Sequence, residues 1–234
     1  GIDYVLGGGL VPGTLTLICG APGGGKTTLL LHALQALARK RHEVLFATGE
    51  QTGNEIALRA KDLGKFPARM QAVREPDLDG LLSTLDDVQP AVCVIDSAQT
   101  LAIDDYEPGS AGTIKVAVRE LWKYAKESQI ALVIVGHITK GGAIGGPRTL
   151  EHLVDASLYL ASGGRKSPVR VLRCDHKNRH GQTPRYARFE MTQKGMRDLL
   201  QMGMSEEEDA DIEPELDAPA TGGDGAESAA PGDA

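Results

Sequence analysis

The chain has 234 residues, of which 41% are hydrophobic and 4% aromatic, enough apolar content for the core of one large domain. Its apolar runs are all shorter than the ~20 residues that a membrane-spanning helix needs, which excludes an integral helical membrane protein. Three cysteines, Cys19, Cys93 and Cys174, form no CxxC pair, so we expect reduced core residues of a cytoplasmic protein.

The net charge of −7 is unevenly distributed along the chain. Residues 201–234 contain eleven Asp and Glu and no Lys or Arg, which leaves 25 basic and 21 acidic side chains in residues 1–200. The last segment is rich in Ala, Gly and Pro, and such a composition buries too little apolar surface to offset the entropy of an ordered chain. We therefore predict one domain over 1–200 and an acidic, disordered tail over 201–234.

The first predicted elements surround a glycine-rich motif. Residues 14–19 are typical of a buried strand, and a helical repeat of leucines follows at Leu29, Leu30, Leu34 and Leu37. Between them, residues 20–27 fit G-x-x-x-x-G-K-[ST], the phosphate-binding P-loop. Strand, loop and helix are the context that this motif needs, because the helix N-terminus adds its dipole to the loop amides. The alternative is a glycine-rich turn that binds no ligand. The predicted nucleotide-binding set is Gly20, Ala21, Pro22, Gly23, Gly24, Gly25, Lys26, Thr27 and Thr28.

The rest of the chain alternates between strand and helix patterns and then changes. Strands are predicted over 43–48, 69–73, 91–95 and 130–135, and helices over 53–63, 77–88 and 113–128. This alternation indicates an α/β fold with a mostly parallel, doubly wound sheet. Strands without intervening helices follow at 156–161, 168–175 and 185–191, and they predict antiparallel strands at one edge of the sheet.

Two carboxylates are predicted at the ligand-binding edge of this sheet. Asp96 ends the apolar run Val92–Ile95, a Walker B pattern that would help to hold Mg²⁺ together with Thr27; capping of a following helix is the alternative. Glu50 follows the strand 43–48, and there it could polarise the water that attacks a γ-phosphate. A solvent-exposed loop glutamate is an equally open interpretation of Glu50.

Three polar features follow later in the chain. His137 comes after the strand 130–135 and either senses the γ-phosphate or has a structural role. The glycine-rich stretch 141–147, flanked by Lys140 and Arg148, is either a loop that contacts nucleic-acid phosphates or a solvated loop. The basic cluster 177–181 lies between two edge strands. It either supplies a cation to the nucleotide of a neighbouring subunit in trans or only forms a basic hairpin turn.

These motifs together resemble the RecA-like ATPase core of the bacterial DNA-repair family RadA, also called Sms. The matching stretches occur in family order over residues 1–200, and GPRTLEHLVD (146–155) and KNRHG (177–181) are specific to that family, whereas the Walker motifs are not. The other matching stretches are 6–13, 20–27, 48–50, 94–100, 135–140 and 189–192.

The resemblance implies a RecA-like P-loop NTPase that uses ATP and Mg²⁺, forms a hexameric ring, binds single-stranded or branched DNA and drives branch migration. It implies that Glu50 is the catalytic carboxylate, that Lys177 and Arg179 lie at the subunit interface, and that His137 is a sensor. Loops 105–112 and 140–148 are the DNA contacts that it implies.

The chain also departs from the family pattern. The family's four-cysteine zinc ribbon and its Lon-protease-like domain have no counterpart within residues 1–234, and His180 stands where the family has Phe. Ring assembly is therefore a weaker expectation than ATP hydrolysis. Two rival functions follow: a KaiC-like regulatory ATPase, which predicts no stimulation by DNA, and an ATP-gated DNA-binding module with little turnover.

Overall fold

The computed structural model describes residues 1–52, 54–56, 58, 64, 67–107, 109–137, 150–163 and 167–199, except for the side chain of His137. The helices are α1 (Ile2–Leu6), α2 (Lys26–Arg39), α3 (Leu78–Val88) and α4 (Ala111–Ser128), with a 3₁₀ turn at Ala98–Thr100. The strands are β1 (Leu15–Gly20), β2 (Val44–Thr48), β3 (Met70–Arg74), β4 (Val92–Asp96), β5 (Ala131–His137), β6 (Ala156–Ser162), β7 (Val169–Cys174), β8 (Arg185–Thr192) and β9 (Gly195–Asp198).

The nine strands of the described residues form one sheet, in the order β3-β2-β4-β5-β1-β6-β7-β8-β9. The six strands from β3 to β6 pair in parallel, and β6 to β9 pair antiparallel. The predicted fold class is confirmed: this is an α/β, RecA-like P-loop fold with a mostly parallel, doubly wound sheet and antiparallel strands at one edge. The parallel arrangement brings the carboxyl ends of β1, β5, β4 and β2 to one edge, where such sheets bind ligands.

Helices cover both faces of the sheet, and each face buries its own apolar cluster. Helix α2 packs its leucines on the face that carries Ile18, Phe46 and Leu172. Helices α3 and α4 pack on the opposite face, against Leu17 and Leu132. Because both faces are covered, β1 is buried at all six positions, which explains the continuous apolar runs of the central strands.

Most predicted elements are confirmed within a residue or two at each end. Helix α3 begins after Asp77, whose carboxylate accepts a hydrogen bond from Gly80 N at 2.9 Å, and α4 begins after Ser110, whose hydroxyl accepts one from Thr113 N at 3.2 Å. The predicted helix 53–63 lies largely outside the described residues; residues 54–56 and 58 are helical. The predicted tail 201–234 lies wholly outside them, and α1 and β9 were not predicted.

The three cysteines are free and buried, as the sequence predicted. Burial raises the pKa of the Cys19 thiol to about 12 and that of Cys174 to about 11, so both are neutral core side chains at physiological pH. Among the described residues, no helix combines the length and apolar character needed to cross a lipid bilayer.

Candidate nucleotide-binding site

The P-loop joins the end of β1 to the start of α2, at the carboxyl edge of the sheet. Gly23 and Gly25 have φ values of +72° and +100°, a conformation that side chains with a Cβ rarely adopt, and Gly25 is the N-cap of α2. A Cβ on Gly25 would also lie 2.6 Å from Met191 Cε, and one on Gly20 would overlap the carbonyl of Leu160. The glycines are therefore required by backbone conformation and by close packing.

Lys26 is buried beneath the loop and bound to it. Its ammonium donates hydrogen bonds to the carbonyls of Gly20, at 2.8 Å, and Ala21, at 3.0 Å. Burial lowers the pKa of Lys26, and the nearby Asp96 carboxylate acts in the opposite direction. A cation held by backbone carbonyls under a loop of amides is placed to bind an anion, because phosphate oxygens are better partners than the carbonyls are.

Thr27 and Asp96 connect the P-loop to the second predicted motif. The Thr27 hydroxyl donates a 2.6 Å hydrogen bond to Asp96 Oδ2, although the two residues lie 69 positions apart. A hydroxyl and a carboxylate side by side suit Mg²⁺, which favours oxygen ligands and takes the remainder from water and phosphate. Among the described residues, no group of three or more His, Cys, Asp or Glu could form a metal site made of protein ligands alone. The pair has the oxygen donors that Mg²⁺ favours, and its predicted role in binding Mg²⁺ stays a prediction.

Glu50 lies at the same edge, two residues beyond the end of β2. Strands β2 and β4 are neighbours, and Thr48 pairs in register with Asp96. The Thr48 hydroxyl accepts hydrogen bonds from Glu50 N at 3.2 Å and Gln51 N at 3.3 Å, so it fixes the backbone of this turn. Glu50 itself is exposed, and its predicted catalytic role stays a prediction.

His137 ends β5, between β1 and β4, and its backbone pairs in register with Gly20 at the start of the P-loop. The His137 side chain lies outside the described residues, so its predicted role as a sensor stays a prediction. The predicted DNA-contacting loop 140–148 lies outside them as well.

Lys177 and Arg179 lie at the opposite, amino-terminal edge of the parallel strands. The Lys177 ammonium donates to the carbonyls of Glu151, at 2.7 Å, and His152, at 3.1 Å. The Arg179 guanidinium is 3.7 Å from the carboxylate of Asp155. Burial and the neighbouring Arg179 lower the pKa of Lys177, and Asp155 and Glu151 act in the opposite direction. Both cations therefore hold residues 151–155 of their own chain.

Asp155 organises this amino-terminal edge, although no role was predicted for it from the sequence. Its side chain is 1% exposed and accepts hydrogen bonds from Leu15 N, at 3.0 Å, and Lys126 Nζ, at 3.1 Å. Burial alone would raise the pKa of Asp155, but the hydrogen bonds from Leu15 N and Lys126 outweigh it and lower the pKa. The carboxylate therefore fixes the position of β1 relative to the basic cluster.

Glycines of the stretch LGGG (6–9) and of KNRHG (177–181) lie against each other at this edge. A Cβ on Gly7, whose φ is +79°, would lie 2.9 Å from Gly181 Cα, and a Cβ on Gly181 would lie 2.7 Å from the Leu6 carbonyl. Asn178 Nδ2 donates to that same carbonyl at 3.0 Å. The two motifs are thus two sides of one tight backbone contact.

The antiparallel strands supply one contact to the P-loop and one to α2 that the sequence did not predict. Arg170 on β7 donates to the Gly24 carbonyl at 3.1 Å, and His32 Nδ1 on α2 lies 2.9 Å from the Met196 carbonyl of β9. Each contact joins positions more than 140 residues apart and uses a backbone carbonyl, so no residue pattern marks it.

This fold and this edge define a P-loop nucleotide-binding protein of the α/β class. Comparison with known families agrees, because the AAA domain family model matches residues 2–143. The chain belongs to this AAA domain family.

The chain is also similar to proteins named DNA repair protein RadA, as its motifs predicted. It is 40% identical to that of Haemophilus influenzae over 200 residues, 41% identical to that of Bacillus subtilis over 200 residues and 39% identical to that of Escherichia coli over 199 residues. These matches cover 84–85% of the chain and 43% of each relative, so the chain spans less than half of the length of these relatives.

Proposed function

We propose that the chain is the ATPase core of a DNA-processing protein of the RadA type, which binds ATP with Mg²⁺, hydrolyses it and couples hydrolysis to single-stranded or branched DNA. The observation that carries this proposal is the 2.6 Å hydrogen bond between Thr27 and Asp96, because it joins the P-loop hydroxyl to the carboxylate that ends β4. The name of the relatives, DNA repair protein, supports the DNA part of the proposal.

The proposed chemistry is in-line attack of water on the γ-phosphate. The Lys26 ammonium and the loop amides stabilise the negative charge that develops on the phosphate oxygens. Thr27 and Asp96 would hold Mg²⁺, which when bound would supply a Lewis acid that neutralises phosphate charge. Glu50 orients the attacking water and accepts its proton. His137 senses whether the γ-phosphate is present.

Lys177 and Arg179 are proposed to complete the site of a neighbouring subunit. Within one chain they lie at the edge opposite the P-loop, because Asp155, beside Arg179, bonds to Leu15 N at the first residue of β1, whereas the P-loop follows the last residue. A role at a nucleotide therefore requires a second copy, which agrees with the hexameric ring that the resemblance implies.

DNA is proposed to contact the loops 105–112 and 140–148. In the first loop the Tyr106 side chain is 47% exposed, and an exposed ring can stack on an unpaired base. Asp105 and Glu107 flank it and would repel phosphates, so this contact is proposed to use base stacking. In the second loop Lys140 and Arg148 supply charge for phosphates.

The test is ATP hydrolysis with and without single-stranded DNA, at two salt concentrations. We expect basal turnover, stimulation by DNA, and weaker stimulation at the higher salt. Equal ATP hydrolysis with and without DNA would instead indicate a KaiC-like regulatory ATPase. DNA binding that depends on ATP but is not accompanied by hydrolysis would indicate an ATP-gated DNA-binding module.

Substitution Lys26→Ala tests the site itself. It should reduce turnover by at least ~100-fold because it removes the charge on the phosphates, with the thermal unfolding midpoint in the absence of nucleotide close to that of the wild type. Lys123→Ala, a surface lysine paired with Glu120, is the matched control and should keep full turnover. Retained turnover in Lys26→Ala would refute the assignment.

A further inference from the structure

Arg170, near the start of β7, connects the antiparallel extension to the P-loop. Its Nε donates to the Gly24 carbonyl at 3.1 Å. Its Nη1 donates to the carbonyls of Ser167, at 2.8 Å, and Val169, at 2.9 Å. The guanidinium is therefore held by the backbone at and just before the start of β7, and it presents Nε to one carbonyl of the P-loop in a defined direction.

This contact sets the direction of a P-loop amide. In a trans peptide the C=O and the following N–H point in opposite directions, and the peptide between Gly24 and Gly25 is trans. When Arg170 holds the Gly24 carbonyl, the Gly25 N–H points away from β7. A charged donor on the carbonyl also polarises the peptide, which makes that N–H a stronger donor.

Two methionines close the space behind the same peptide. The methyl groups of Met191 on β8 and Met196 on β9 fill the position that a Cβ of Gly25 would occupy. The Met196 carbonyl is in turn bound to His32 of α2, at 2.9 Å. The P-loop therefore packs against β7, β8 and β9, and this packing leaves the Gly24–Gly25 peptide little room to rotate.

We propose that Arg170 is a positioning residue for nucleotide binding, which aims the Gly25 N–H at the β-phosphate by holding the Gly24 carbonyl. The inference rests on the proposed nucleotide site and adds a residue that lies outside both Walker motifs. It acts through the backbone of the loop, so its effect falls on every nucleotide that has a β-phosphate. ATP and ADP therefore lose affinity to the same extent when Arg170 is removed.

The test compares Arg170→Ala, Arg170→Gln and Arg170→Lys with wild type in the full chain. The Kd values of ATP and ADP with Mg²⁺ are measured by calorimetry, and kcat and KM by ATP hydrolysis. For Arg170→Ala we expect both Kd values and KM to rise roughly 10- to 100-fold, the range for a hydrogen bond made by a charged group, while kcat changes about twofold or less. Arg170→Lys, which keeps a charged donor, should restore part of the affinity.

Arg173→Ala is the matched control, because Arg173 lies on the same strand, faces the opposite side of the sheet and pairs with Asp175. It removes the same charge and should leave both Kd values unchanged; an equal loss in this variant would overturn the proposal, since net charge would then explain the effect. Wild-type Kd values in Arg170→Ala would overturn it too. If Arg170→Ala does not fold, the Kd values of Arg170→Gln and Arg170→Lys test the proposal in its place. A wild-type chain that binds neither nucleotide would refute the proposed function instead.

Discussion

The position of Lys177 predicts how much ATP turnover is recovered when two inactive variants of the chain are mixed. Strand β1 runs from Leu15, beside the basic cluster, to Gly20 at the P-loop, and five steps of about 3.3 Å separate the two edges by roughly 17 Å. A lysine side chain reaches only about 6 Å by the same bond-length reasoning, and this one is bound to the carbonyls of Glu151 and His152. Lys177 therefore cannot reach the nucleotide of its own chain.

The assay mixes two inactive variants. Lys177→Ala keeps an intact P-loop, and Lys26→Ala keeps an intact Lys177. In a head-to-tail assembly of randomly mixed subunits, about one interface in four joins the two intact halves, so turnover should recover to about a quarter of the wild-type value. Each variant alone should remain near background. A mixture of Lys26→Ala with the surface variant Lys123→Ala gives the recovery expected when the second variant is fully active.

The result that would refute this reasoning is a mixture no more active than its parents, when each parent keeps the unfolding temperature of the wild type. The temperature matters because Lys177→Ala also removes the hydrogen bonds to residues 151 and 152. Arg179→Ala tests the same role in trans with less risk to the fold. The Arg179 side chain is 52% exposed and its contact with Asp155 is long, at 3.7 Å.

Two further predictions concern carboxylates at the two edges of the sheet. Glu50→Gln should bind ATP with wild-type Kd but hydrolyse it ~100-fold or more slowly, because the amide cannot accept a proton; equal turnover would exclude Glu50 as the base. Asp155→Asn should lower the free energy of unfolding by ~1–2 kcal/mol at pH 7, since the charged partners Lys126 and Arg179 remain and can be solvated. The folded pKa of Asp155 lies below its ordinary value of 3.8, so this difference is fully present above that value and disappears as the pH falls through the folded pKa. Chemical denaturation of both proteins at pH 7 and pH 3 measures it, and a difference that grows in acid would contradict the assignment.

The central sheet could be predicted from the sequence because its signals are local. Runs such as Val92–Ile95 are continuous and apolar, and a strand buried on both faces needs no alternation. The site at its edge followed from topology, since the carboxyl ends of parallel strands meet there. The sequence therefore predicts that Thr27 and Asp96 lie together, and the structure shows them in contact.

The elements that were not predicted are short and depend on distant partners. Helix α1 has five residues and β9 has four, too few for a repeat to be recognised. Val5 and Leu6 of α1 and Met196 of β9 are buried in the same core cluster as Phe189 of β8. Their structure is stabilised by tertiary packing, which a local pattern does not contain.

Parts of the site were missed for a related reason. Arg170 acts on a backbone carbonyl 146 positions away, and every residue has a carbonyl, so the sequence cannot show which one an arginine will reach. The motif KNRHG did predict a basic hairpin, but the edge at which it lies follows from the antiparallel direction of β7, and only the structure gives the contacts that place Lys177 beside residues 151 and 152.

Strand β7 connects the two edges within one chain. Arg170, near its start, holds the P-loop, and the chain leaving its last residue, Cys174, leads directly into the basic cluster at the opposite edge. The strand is hydrogen-bonded to β6 and β8 on both sides, so it is an interior strand of the sheet. Under the proposed head-to-tail assembly, each subunit would hold its own nucleotide with one end of β7 and present Lys177 to the next nucleotide with the other. The antiparallel extension would then join successive sites through a single strand.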